Sequence, residues 1–315
     1  MSVLCIDKPL GPSSHDVVAV ARRALATRRV GHAGTLDPLA TGLLLVLSEE
    51  ATKLSPFLTS SDKGYLAWIA FGVGTPTLDA EGPIDARADA DDLDAAAVAA
   101  ALPAFLEVRE QVPPNHSAIQ RDGVRAYAAA RRGDMEALPP RAAEYRRLEL
   151  LAFSQRPDDL PTTFAPGPSG WRPDASGRPF ERPPPLAPAP VAIVALDVRA
   201  GTYVRAFARD LGVALGLPAH LAGLVRTRAG AVDLALATPL ERITDAPAID
   251  PVPLLPFERV ALDAAEVERV RDGGRLEPRW SGRAALVAPD GSLVAVADAG
   301  DGDRARFVRV WRSAP

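Results

Sequence analysis

One carboxylate in this chain stands where a structural carboxylate has little to do. Asp37 lies inside Gly31-His-Ala-Gly-Thr-Leu-Asp-Pro-Leu-Ala-Thr-Gly42, a run with three glycines in twelve positions. Glycine lets the backbone turn sharply and lets a ligand come close, and Pro38 pushes the residue before it into an extended or turn conformation. Such a loop presents its aspartate, and an aspartate so presented is a candidate nucleophile. Leu43-Leu-Leu-Val-Leu47 follows at once and reads as a short buried strand, which places the carboxylate at the edge of a rigid sheet, the support a reacting group requires. An aspartate before proline is also a common turn residue that bonds its own backbone, and composition alone favours that plainer role.

The literal string reverses the preference. Gly-His-x-Gly-Thr-Leu-Asp-Pro-x-Ala-Thr-Gly, with the apolar strand and Glu50-Ala-Thr-Lys53 behind it, closely resembles the catalytic segment of the TruB family of tRNA pseudouridine synthases. Ile6-Asp-Lys-Pro-Leu-Gly-Pro-Ser-Ser14 resembles the segment that opens these catalytic domains. Asp62-Lys-Gly-Tyr65, Thr77-Leu-Asp-Ala-Glu-Gly82 and Gly201-Thr-Tyr-Val-Arg205 are similar to three later elements, in the right order. The resemblance spans residues 3 to about 230 and is weaker at the C-terminus. Three positions depart from the pattern: Ala33 where Thr is usual, Gly64 where a basic residue is common, and Gln120 in place of Lys. They affect individual RNA contacts around the pocket, which Arg121 and Arg125 would make instead.

The resemblance assigns roles. Asp37 would be the nucleophile, attacking either the anomeric carbon of the sugar or C6 of the base, and both routes stay open. Arg205 would be its cationic partner, since an opposite charge within reach keeps a carboxylate ionised; without the motif it reads as a helix-surface arginine. Tyr65 would stack on the flipped base and take part in proton transfer, although Leu66, Trp68, Ile69 and Phe71 behind it also suit a plain sheet tyrosine. Tyr203 and Leu224 would line the pocket, His32 would lie against the displaced nucleotide, and Lys8, Arg121 and Arg125 would contact substrate. The implied substrate is the T-arm stem-loop of tRNA, with uridine 55 as target. One cysteine and four scattered histidines make a metal site improbable, and no P-loop or GxGxxG run occurs, so no cofactor is expected. Two other functions compete: an RNA-binding or remodelling protein with a vestigial pocket, and a nucleoside hydrolase that releases uracil. The lack of an N-terminal calcium-binding aspartate cluster counts against the second.

These groups need elements to position them. With 315 residues and 47% hydrophobic content the chain can bury two cores. It shows no apolar signal core and no run of 18 apolar residues, so a cytoplasmic monomer away from membranes is expected. The lone Cys5, in an apolar run, reads as a small buried hydrophobe. A net charge of −4 argues mildly against nucleic acid. The distribution argues for it: residues 121–147 hold seven arginines against four acids, residues 199–228 five against one, while 79–94 carries seven acids. A helix is expected over about 16–26, capped by Ser13 or Ser14, and another is placed by Val204, Phe207, Leu211 and Leu215; a third covers 95–106. Residues 147–153 and 191–198 read as strands separated by 157–190, where eleven of the 31 prolines lie. That insertion is expected to be disordered or extended. A Pro- and Asp-rich break at 245–256 precedes short strands with Asp-Gly turns. The expected class is α+β: a catalytic domain over 1–250 with a mixed, largely antiparallel sheet and flanking helices, then a small PUA-like β domain over 256–315.

Overall fold

The computed structural model describes residues 2–115, 120–121, 124–125, 138–300 and 304–312. Its centre is a ten-stranded mixed sheet. The main strands are β1 (Val3–Lys8), β2 (Val30–Ala33), β3 (Ala40–Ser48), β4 (Lys63–Phe71), β5 (Tyr145–Ser154), β6 (Val191–Val198) and β7 (Ala219–Ala229). They lie in the order β5-β6-β4-β7-β3-β1, followed by Thr238–Pro239. Every neighbouring pair on this path is antiparallel except β7 with β3 and β1 with Thr238–Pro239.

Side chains alternate across a strand, and the sequence uses both faces. Cys5, Leu43, Leu45, Leu66 and Trp68 point to one face, and Leu4, Ile6, Leu44, Val46, Ala67 and Ile69 to the other. Both faces are covered, so all nine residues of β3 are buried and the strand reads as a continuous apolar run. Burial pushes the Cys5 thiol up to about 11, which makes it a packing group. Among the described residues four helices belong to this body: α1 (Ser14–Ala24), the short α2 (Ser55–Thr59), α3 (Ala95–Phe105) and α4 (Val204–Ala214). Helices α1, α3 and α4 cover one face with Val17, Val18, Phe105, Phe207 and Leu211. Ser13 caps α1 in a reciprocal capping box with Asp16, and Asp94 caps α3. Among the described residues no helix is long and apolar enough to cross a membrane.

The insertion at 157–190 overturns the expectation of a disordered or extended segment. Thr163–Gly167, Gly170–Pro173 and Arg178–Pro179 form a small three-stranded sheet laid on the second face. Phe164 meets Trp68 of β4 edge-on at 5.6 Å and stacks on Phe180 at 5.4 Å. Trp171 packs beside them and donates its indole N–H to Asp233 at 3.0 Å. Average composition hid this, because aromatic rings bury about 150–250 Å² each and these three share a core that already exists beneath them. Arg178 ties the insertion to β1 through an ion pair with Asp7.

The C-terminal module has its own four-stranded sheet of β8 (Glu258–Ala261), β9 (Arg283–Val287), β10 (Leu293–Asp298) and β11 (Arg306–Val310). Helix α5 (Ala264–Arg271) supplies Val267 and Val270 to a separate apolar cluster with Val260, Leu286 and Val294. Trp311 and Val296 join the second-face core of the main body, and Trp311 donates to the Glu50 carbonyl at 3.0 Å.

Candidate active site

The loop from Gly34 to Leu39 joins β2 to β3 and carries Asp37. It is pinned on either side of Asp37. The Ser14 hydroxyl, in the first turn of α1, donates to the Leu36 carbonyl at 3.0 Å and accepts from the Leu36 amide at 2.7 Å. The Gly11 amide donates to the Pro38 carbonyl at 3.0 Å. Gly34 and Gly42 both adopt positive φ, at +97° and +94°, where an L side chain is strained. A Cβ at Gly42 would also lie 2.5 Å from the Arg226 carbonyl oxygen, so glycine is required there.

A cleft of about 290 Å³ opens over this loop, at the lower end of the roughly 300–1,000 Å³ usual for small-molecule sites. That suits one nucleobase better than a dinucleotide cofactor. Asp37, Tyr65, Tyr203, Arg205 and Leu224 line it together, drawn from a loop, β4, the start of α4 and β7. Arg205, on the first turn of α4, is buried and reaches across to Asp37, with Nε 3.0 Å from Oδ2. Its Nη1 lies 3.3 Å from Asp79 Oδ2 and donates to the Thr77 carbonyl at 3.2 Å. Asp79 is itself fixed, accepting from the Thr77 hydroxyl at 2.6 Å and from the Glu81 amide at 3.0 Å.

The Asp37 side chain is 37 % exposed, but that surface opens onto the cleft rather than bulk water. Burial is therefore the largest influence and pushes Asp37 above the ordinary aspartate range. The Arg205 guanidinium pulls it down, and the Asp79 carboxylate raises it further. The expected lowering by Arg205 is present but does not prevail, because burial outweighs it and Asp79 adds to the rise.

Two expected contact residues, Lys8 and His32, are not among those that line this cleft. Lys8 is fully buried rather than at a substrate surface, and its ammonium donates to the carbonyls of Pro9 at 2.9 Å and Pro12 at 2.5 Å, bracing the opening segment. Burial lowers it to about 8. His32 lies on β2 outside the cleft wall, half-buried, with Nδ1 lacking a hydrogen-bond partner among the described residues. Burial, then the nearby Arg226 cation, hold its imidazole below the usual histidine range. Arg121 and Arg125 fall on a two-stranded ribbon whose side chains lie outside the described residues, as does most of the arginine-rich 121–147 segment.

Three groups escaped the sequence reading. Asp79 lies in the Thr77–Gly82 loop, to which the sequence assigned no role. Lys63 forms part of the cleft wall while its ammonium caps α2 through the carbonyls of Leu58 at 3.2 Å and Thr59 at 2.9 Å. Arg226 is buried in β7 directly after the apolar Leu221–Val225, and a charge interrupting such a run is the signal that marks it.

Residues 22–167 match the model described as TruB family pseudouridylate synthase, N-terminal domain, and residues 257–312 the model of tRNA pseudouridine synthase II, C-terminal. The chain is 52% identical to tRNA pseudouridine synthase B of Thermus thermophilus, across 99% of both chains. It belongs to the TruB family of pseudouridylate synthases. The tRNA pseudouridine synthase B of Deinococcus deserti is 47% identical across 99% of this chain and 100% of that protein. A chain in the crystal structure of a Cbf5-Nop10-Gar1 complex shares the fold, with a TM-score of 0.67 at 21% identity, over 98% of this chain and 84% of that one. The TruB N-terminal match takes in Asp37 and Tyr65, while Arg205 lies beyond it and is brought to Asp37 by the fold.

Proposed function

We propose that this TruB-family chain converts uridine 55 in the T-arm loop of tRNA to pseudouridine, with Asp37 as the nucleophile. One observation carries the reading: the Arg205–Asp37 ion pair at 3.0 Å, in a cleft of nucleobase size that Tyr65 also lines. The names of its relatives support tRNA as the substrate.

A base inside a stacked loop is out of reach of Asp37, so the uridine has to be extruded into the cleft. Attack by Asp37 at C1′ of the ribose or at C6 of the uracil starts the reaction. The N1–C1′ bond breaks, the uracil turns within the cleft, and C5 bonds to C1′; the bond that Asp37 made to C1′ or to C6 breaks and returns its electron pair to the carboxylate. C5 then loses its proton and N1 gains one, so the product is an isomer and no electrons are exchanged. Tyr65 offers the face on which the uracil stacks, with its hydroxyl available to the departing proton. Tyr203 and Leu224 hold the detached base, and Arg205 orients the carboxylate. The catalytic unit is residues 1–250, and the module over 256–315 extends the grip beyond the T-arm, with Arg121 and Arg125 on the phosphates.

The test is incubation with a tRNA transcript carrying tritium at uracil C5. Stoichiometric tritium release mapped to position 55, with no free uracil, is the expected result. Free uracil would identify a hydrolase, and tight binding without release a vestigial pocket.

A further inference from the structure

Arg226 is 1 % exposed, and among the described residues no carboxylate lies within ion-pair distance of its guanidinium. A buried cation without a counter-charge is costly, and here its donors must be satisfied by neutral acceptors. Nε donates to the Leu43 carbonyl at 2.6 Å, Nη2 to Gly34 at 3.1 Å and Nη1 to Thr35 at 3.4 Å. These three carbonyls flank Asp37, two before it and one after. Arg226 and Tyr65 both line the cleft. They are direct cross-strand partners in the β7–β4 pair, so sheet register sets their side chains side by side on one face.

We propose that Arg226 is a positioning residue that fixes the Tyr65 hydroxyl in register with the Asp37 loop, an inference that rests on the reaction proposed above. A planar five-donor fork can hold two loop carbonyls, the β3 carbonyl of Leu43 and a phenol oxygen at once, which a lysine ammonium cannot. The loop is shaped to receive it. A Cβ at Gly34 would stand 3.4 Å from Nη1, at the edge of van der Waals contact, so the bare glycine lets the guanidinium lie close against the loop. With its oxygen accepting from Arg226, Tyr65 keeps its own O–H free to turn toward the cleft. The nucleophile and the aromatic wall are thus registered through one side chain anchored in the sheet.

The test is a double-mutant cycle of Arg226→Lys with Tyr65→Phe in the full-length protein, read by single-turnover tritium release and by tRNA Kd. Arg226→Lys keeps the charge and most of the length. It should lower the single-turnover rate about 10²-fold, the cost of a misplaced reacting group, with Kd nearly unchanged. In the Tyr65→Phe background the same substitution should cost far less. Rate losses that multiply to within about twofold, the mark of independent sites, would overturn the proposal, as would a loss confined to Kd. Should the lysine variant misfold, the Arg226 Nε–H resonance decides: it should shift on Tyr65→Phe in otherwise wild-type protein, and an unmoved resonance sinks the contact. Absence of tritium release by wild type would instead refute the proposed reaction.

Discussion

Arg205 divides one guanidinium between two carboxylates, with Nε 3.0 Å from Asp37 and Nη1 3.3 Å from Asp79. The two partners are not equivalent. Asp79 is only 2 % exposed and is locked by the Thr77 hydroxyl and the Glu81 amide, whereas Asp37 opens onto the cleft. Asp79 therefore anchors the guanidinium from behind and sets the angle at which it meets Asp37.

Arg205→Met should accordingly lower the chemical step by on the order of 10²–10³-fold, the usual cost of removing one preorganised donor from a reacting centre. It leaves two carboxylates crowded without their cation, while tRNA binding should change little. Single-turnover rates at saturating enzyme, together with the salt dependence of Kd, check this. An unchanged rate with a shallower salt dependence would make Arg205 a phosphate contact instead.

Asp37→Asn should abolish turnover, keep tRNA binding and raise stability at neutral pH. The folded protein holds the Asp37 carboxyl above its unfolded value, so the site favours the neutral acid. The stabilising effect of the neutral form is fully present below the unfolded pKa and is lost as pH rises through the folded one. The asparagine variant escapes that loss and leaves Arg205 in a one-to-one pair with Asp79. A gain of about 1 kcal/mol would raise Tm by roughly 2–4 °C in a domain of this size, and the gain should vanish in acid. A lower Tm for the variant at neutral pH would show that the ion pair outweighs burial. Wild-type activity should also fall on the acid side at a pH above the ordinary aspartate range.

Asp37, Tyr65 and Arg205 were legible because each sits in a contiguous string, and the sheet was legible because β3, β4 and β6 are apolar where both faces are covered. Asp79 and Arg226 were not assigned, since their roles arise from Arg205 and Tyr65 reaching them across separate elements. The exception in the opposite direction is Lys8, which sequence placed with the substrate and the fold spends on prolyl carbonyls. The insertion misled because a proline count says nothing of where Phe164, Trp171 and Phe180 point, and only Trp68 beneath them gives those rings a core.

Gly64 departs from the basic residue expected before Tyr65, and the structure supplies a reason. It sits in register between Arg228 and Asp197, whose side chains pair across it at 2.7 Å. A Cβ there would stand 3.0 Å from Arg228 Cβ and 3.1 Å from Asp197 Oδ1. Gly64→Lys, although closer to the family pattern, should therefore destabilise by about 1–3 kcal/mol, as overpacking does. Thermal denaturation decides, and an unchanged Tm would show that the pair gives way freely.

Replacing residues 157–190 with a short Gly-Ser linker should lower stability while sparing the chemistry. None of these residues lines the cleft, but their removal uncovers Trp68 and takes away the buried Phe164, Trp171 and Phe180. Phe164→Ala is the milder version and should cost about 3–5 kcal/mol, the range for truncating a buried phenylalanine. At roughly 2–4 °C of Tm per kcal/mol, that is a readily measured shift. Tritium release by either variant, assayed well below its own Tm, should stay near the wild-type rate. A folded deletion variant with weakened tRNA binding would instead make the insertion part of the RNA surface. A deletion variant as stable as wild type would mean that the aromatic cluster adds nothing to the core.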